Sequence, residues 1–172
     1  MIDQPPDDDF VPCTALYGDI RLVPRSCLSF RPTVYAIIFH DDHVLVIITQ
    51  QTCRFYFPGG GVELGERLET ALQREVSEET GLAIIIHNLL HVEEQFFYDP
   101  TGEAWHALVF FFVCTPQSAT PHAHVTDDAE VSGLRWLPRR SLNPEDFQHA
   151  AHNVVEIIRS LPDTAKLIED AS

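Results

Sequence analysis

Residues Gly60 to Leu82 read GGVELGERLETALQREVSEETGL, and this stretch decides the fold and the chemistry. The spacing predicts a helix from about Glu66 to Thr80, closed by Gly81. Glu75, Glu78 and Glu79 then fall at its C-terminal end. That end carries partial negative charge, so each carboxylate there costs a few tenths of a kcal/mol up to about 1. Arg74 can balance Glu78 at four-residue spacing but not all three acids. A bound divalent cation is the natural compensator.

The helical wheel points the same way. Leu68, Glu75 and Glu79 share one stripe, with Leu72 beside them and Glu78 adjacent. A face that begins apolar and should meet the core turns acidic in its second half. A merely solvated acidic face would lie opposite Leu68 and Leu72. Carboxylate oxygens gathered at the edge of a core suit Mg²⁺ or Mn²⁺.

The stretch resembles the Nudix hydrolase family. The family's box runs Gly, five residues, Glu, seven residues, Arg-Glu, an aliphatic residue, any residue, Glu-Glu, any residue, Gly and an aliphatic residue. Gly60, Glu66, Arg74, Glu75, Val76, Glu78, Glu79, Gly81 and Leu82 meet every position. The resemblance implies an α/β fold, the Nudix α/β/α sandwich with a mixed central sheet. It implies metal binding by Glu75, Glu78 and Glu79 and by the backbone carbonyl of Gly59, with Arg74 holding a glutamate in its working rotamer. Glu66, near the helix start, is favoured there by the dipole and has a purely structural reading as well.

Composition narrows the partners. The net charge of −15 argues against a nucleic-acid polymer or an anionic membrane, both of which need a basic surface. A small phosphorylated substrate stays compatible if metal and a few arginines offset its charge locally. No apolar run approaches the ~20 residues that span a bilayer. The opening MIDQPPDDDF lacks a basic n-region. Residues 1–12 are expected to be a disordered acidic lead and 13–172 one domain. Cys13, Cys27, Cys53 and Cys114 form no CxxC pair, and a reduced cytoplasmic protein is the simpler reading. A homodimer is the assembly allowed for. His122 with His124, and His149 with His152, lack further ligands at zinc spacing and read as surface histidines.

Around the box, residues 13–30 are ambiguous, with an edge strand at Ile20–Val23, broken by Pro24, as one reading. Thr33–Phe39 and His43–Ile48 form a hairpin about Asp41-Asp42. Arg54–Phe57 is a short strand, and the glycine run 59–61 permits close backbone approach. Leu82–His91 and Glu93–Tyr98 look extended, with a turn at Asp99–Gly102. Trp105–Cys114 is an apolar run expected as a central buried strand, followed by a loop to about Ala129 and a short strand Leu134–Leu137. Pro144–Leu161 is expected as a helix with Asn143 as N-cap and Val154, Ile157, Ile158 and Leu161 as its apolar stripe.

This chemistry suits a metal-dependent hydrolase that cleaves a phosphoanhydride in a nucleoside diphosphate linked to another group, by water attack at phosphorus. There is no GxSxG and no GxxxxGK[ST]. The resemblance leaves the general base to a box glutamate or a late-loop acid. Asp127, Asp128 and Glu130 stand in that loop, and Glu130 is the candidate, with a solvated surface acid as the alternative. Arg31 and Arg54 are candidates for phosphate contacts, or else surface arginines. Phe97, Tyr98 and Trp105 are candidates for stacking, with core packing the alternative except for Tyr98 beside the turn. A catalytically inactive nucleotide-binding sensor is the rival reading, although such modules usually lose box carboxylates.

Overall fold

The strand Leu28–His40 organises the molecule because its alternate side chains feed two separate cores. The computed structural model describes residues 9–99, 101–126 and 130–162. In chain order its elements are β1 (Phe10–Ala15), β2 (Ile20–Pro24), β3 (Leu28–His40), β4 (His43–Thr49), β5 (Phe55–Tyr56), β6 (Gly59–Gly61), α1 (Leu68–Thr80), β7 (Ile84–Tyr98), β8 (Ala104–Pro116), β9 (Val131–Pro138) and α2 (His152–Ser160). Val34, Ala36 and Ile38 of β3 pack with Ala71, Leu72 and Val76 of α1. Ile37 and Phe39, pointing the other way, pack with Val154, Val155 and Ile158 of α2. Each such side chain contributes about 1.5–3 kcal/mol on full burial, so a strand buried on both faces anchors both helical layers.

The sheet is mixed, in the order β2-β1-β7-β8-β3-β4-β5, with β6 also paired to β3 and β9 to β4. β3 runs parallel to β8 from Leu28↔Ala104 to Ile38↔Cys114. β7 and β8 are antiparallel. The hairpin β3–β4 turns at Asp41–Asp42, with Asp41 left-handed at φ 51°. The α/β/α sandwich expected from the sequence is the observed architecture.

Several boundaries differ from the sequence reading. Phe10–Pro12, expected in the disordered lead, belong to β1, which pairs with β2 and then in parallel with Phe97 and Tyr98 of β7. Residues 1–8 lie outside the described residues. The two extended pieces expected at 82–98 are one strand, irregular between Ile86 and His91 rather than at Val92. The expected helix Pro144–Leu161 is shortened to α2, preceded by 3-10 turns at Pro144–Asp146 and His149–Ala151. Phe147 interrupts it by docking in the core, and the Gln148 amide donates to the Phe55 carbonyl at 3.0 Å. Asn143 makes no side-chain capping bond. All four cysteines are free, Cys13 and Cys114 buried, Cys27 and Cys53 exposed.

Among the described residues one charged side chain is fully inside. Arg139, 1% exposed, donates from Nε to Asp42 at 3.0 Å and from Nη1 to the Ile158 and Leu161 carbonyls at 3.2 and 2.6 Å. It thus ties the β3–β4 turn to the C-terminal end of α2, where a cation is favoured. Arg139→Met should leave those carbonyls unpaired and destabilise the fold by about 2–4 kcal/mol. Urea unfolding checks this, and an unchanged midpoint would remove Arg139 from the stabilising set.

Candidate active site

The glycine run of β6 lets a helix end and a strand meet at bonding distance. The Gly59 amide donates to Oε2 of Glu79 at 2.8 Å, and Glu79 is only 5% exposed. Gly59 has φ 144°, and a Cβ there would lie 2.1 Å from the Val34 carbonyl oxygen. A Cβ on Gly60 would lie 2.7 Å from the Glu75 carboxyl carbon, and one on Gly61 would strike the Arg31 guanidinium. Backbone therefore fills the space between β3 and the acids of α1, where no side chain would fit.

Arg74 orders the remaining acids. Its Nε and Nη2 form a fork on Glu66 at 3.0 and 2.9 Å, Nη2 also donates to the Gly61 carbonyl at 3.2 Å, and Nη1 donates to Glu75 at 2.8 Å. The expected partner Glu78 is its most distant contact, at 3.4 Å, with a side chain 56% exposed. Two-point geometry explains the choice, since a planar guanidinium matches a carboxylate edge to edge. Glu66 is thus the anchor of Arg74, and this bonding holds its carboxyl below the usual range. Glu75 moves the opposite way: burial pushes it up, Arg74 opposes the shift, and Glu78 adds to it.

Of the box acids, Glu79 reaches a cleft of about 280 Å³ on the α2 face of the sheet, while Glu66, Glu75 and Glu78 do not line it. Arg31, Thr33 and Tyr35 of β3, Glu79, the glycine run and Glu130 line one part, and Phe97 and Trp105 another. Burial, then the charge of Glu79, hold the Tyr35 phenol above its usual range, with Arg31 opposing and Glu75 and Glu130 adding to the effect. All four charges therefore act on the Tyr35 hydroxyl. Thr33 is 8% exposed, and its hydroxyl has no hydrogen-bond partner among the described residues. A cleft-facing hydroxyl without a protein partner is free to bond an oxygen of an incoming ligand. Phe97 and Trp105 are cross-strand neighbours whose rings stack at 5.7 Å and 11°, and Arg31 lies 5.8 Å over Trp105.

The other expected residues are placed elsewhere. Arg54 does not line the cleft; it donates to the Phe147 carbonyl at 3.1 Å. Tyr98 packs with the small cluster of Cys13, Val23 and Ala104 on the opposite face of β7, under Arg21 at 4.8 Å. Strand alternation sends Phe97, not Tyr98, into the cleft. Asp127 and Asp128 lie outside the described residues. Tyr35 and Thr33 escaped the sequence reading because they sit in an ordinary β-branched and aromatic strand. Glu66 announced its role only through its box position.

Among the described residues no three His, Cys, Asp or Glu side chains form a finished metal cage. The donor set nevertheless fits a hard divalent cation: it is oxygen only, acidic, and set beside a carbonyl-bearing glycine run. Gly60→Ala should displace the Glu75 carboxylate and weaken Mn²⁺ binding by about tenfold or more, the scale of a disturbed ligand environment. Mn²⁺ titration by electron paramagnetic resonance checks this. An unchanged affinity would mean that Glu75 is not a ligand.

A NUDIX domain model matches residues 29–156. The human 8-oxo-dGDP phosphatase NUDT18 is 34% identical over 120 residues, which cover 69% of this chain and 34% of the human protein. An ADP-ribose pyrophosphatase from Methanocaldococcus jannaschii is 38% identical over 117 residues, covering 65% of this chain and 67% of that one. The crystal structure of a MutT NUDIX hydrolase from Burkholderia pseudomallei superposes with a TM-score of 0.59 at 26% identity, covering 74% of this chain and 97% of that one. The chain spans only 34% of the human and 40% of the mouse relative. With the box complete, the sandwich in place and the match running through most of the sheet, the chain belongs to the Nudix hydrolase family.

Proposed function

We propose that this chain hydrolyses a phosphoanhydride bond in a nucleoside diphosphate or a derivative of one, by water attack at phosphorus, with Mg²⁺ or Mn²⁺ as cofactor. The observation that carries this reading is the cleft itself. It joins the helix-end acid Glu79, Arg31 and the Thr33 hydroxyl to a stacked aromatic pair, with Glu75 directly behind Gly60. The relatives' names, an 8-oxo-dGDP phosphatase and an ADP-ribose pyrophosphatase, share a nucleoside and an anhydride and differ in the rest.

Glu75, Glu78, Glu79 and the Gly59 carbonyl would hold the cation, which would neutralise phosphate charge and act as a Lewis acid toward the phosphoryl group. Arg74 keeps Glu75 oriented while its grip on Glu66 prevents it from swinging into the cleft. Arg31 supplies a positive charge on the cleft wall, where a phosphate of the substrate would enter. The Thr33 hydroxyl and the Tyr35 phenol, kept protonated, donate to phosphate oxygens. Phe97 and Trp105 present a flat wall for a base. Glu130, exposed at the cleft mouth, is the general base that takes the proton of the attacking water.

Two variants separate the roles. Glu79→Gln should abolish most of the rise in thermal stability that divalent cations give through linkage, together with most hydrolysis. Glu130→Gln should lower kcat by about 10²-fold with cation affinity changed far less, as for loss of a general base. The assay follows product release from nucleoside diphosphate derivatives with Mg²⁺ or Mn²⁺, beside a metal titration. Rapid turnover of a simple phosphate monoester with all diphosphates untouched would sink the reading.

A further inference from the structure

Two glutamines in the cleft have their amide orientation set by the protein around them. Gln95 Nε2 donates to Oε1 of Glu93 and, at 2.8 Å, to the carbonyl of Ala150. Both partners are acceptors only, so the nitrogen end is fixed and the carbonyl oxygen is left for the cleft. Gln148 Nε2 donates to Thr49 Oγ1 at 3.0 Å. The Thr49 hydroxyl lies 2.7 Å from the Thr52 hydroxyl and 3.2 Å from the Arg54 carbonyl, and giving its proton to either makes it an acceptor toward Gln148. With Nε2 on the two threonine hydroxyls, the oxygen of Gln148 is its open end as well.

Their position is as telling as their polarity. Gln95 stands two residues before Phe97 on the same face of β7, so its amide borders the stacked Phe97–Trp105 wall. Gln148 lines the same cleft from the segment ahead of α2. A flat ring lying on that wall would meet acceptors at its edge.

We propose that Gln95 and Gln148 select a guanine-type base by accepting from its N1–H and N2 amino group. This deepens the anhydride reading and rests on it. Guanine is the one common base with two adjacent N–H donors on one edge. Adenine and cytosine offer one donor position there, beside an acceptor. Uracil and thymine offer one N–H between two carbonyls, and those carbonyls would face the glutamine oxygens lone pair to lone pair. Each unmatched acceptor in a desolvated pocket disfavours the wrong base, which is how hydrogen-bonding sites discriminate more sharply than apolar ones.

The test is a series of 5′-diphosphates with Mg²⁺: guanosine, 8-oxoguanosine, inosine, adenosine and purine riboside. Inosine lacks the N2 amino group and should fall about tenfold in kcat/KM, and purine riboside, which lacks both donors, about 10²-fold. 8-Oxoguanosine keeps both donors and should stay close to guanosine. Gln95→Met and Gln148→Met should each shrink the guanosine-to-purine-riboside ratio by about tenfold. The wild-type series needs no variant, so misfolding of either one leaves the proposal open to refutation. Equal kcat/KM for guanosine and purine riboside overturns it. So does inosine matching guanosine while 8-oxoguanosine exceeds both, because the edge being read would then be at N7. Hydrolysis of none of the five would instead defeat the anhydride reading, and calorimetric binding of the same series would still rank the bases.

Discussion

The hydrogen bond from the Gly59 amide to the buried Glu79 carboxylate joins the two halves of the candidate site. A carboxylate this enclosed needs compensation, and a backbone N–H at 2.8 Å supplies part of it. The same bond fixes the end of α1 against β6, and β6 is itself registered against Thr33–Tyr35 of β3. The acids, the orphan Thr33 hydroxyl and the Tyr35 phenol are therefore positioned by one chain of contacts. Because α1 is also packed through Leu72 and Val76 into the core, the acids at its end inherit the rigidity of the helix.

Arg74 shows how the protein tolerates so much negative charge in so little space. One guanidinium contacts Glu66, Glu75, Glu78 and the Gly61 carbonyl. The contacts differ in distance, and the difference sorts the acids. Glu66 is held by a two-point fork, Glu75 by one short bond, and Glu78 is nearly released to solvent. Glu75 is mostly buried yet held by one short bond, and burial pushes its carboxyl above the usual range.

The sandwich, the hairpin at Asp41–Asp42 and the helix of the acids were legible in the sequence because each carries a local signal: a period, a turn pair, a motif. Glu79 in the row of Leu72 was readable from the wheel alone. What escaped depended on pairing between distant segments. β1 looks unremarkable until it is seen beside Tyr98, and the glycine run gave no hint of forming a strand with β3. Tyr98 and Phe97 are adjacent residues, so one step of strand alternation decided which faced the cleft, and that phase is set by β8 rather than by local composition. Arg54 carries the same charge as Arg31, yet the nearby Phe147 carbonyl claims it. The helix expected over 144–161 failed because Phe147 had a core pocket to fill, a tertiary demand that overrides local helical preference.

The parallel pairing of β3 with β8 has a kinetic consequence. The segment from β6 through α1 is local in sequence, and so is the β7–β8 hairpin that carries Phe97 and Trp105. The register from Leu28↔Ala104 to Ile38↔Cys114 sets β3, and β6 beside it, next to the hairpin, across the long intervening chain. Closing so long a loop delays that pairing relative to the local ones. The cleft should therefore assemble last in folding. Its acidic wall and its aromatic wall would each take shape before the chain brings them face to face.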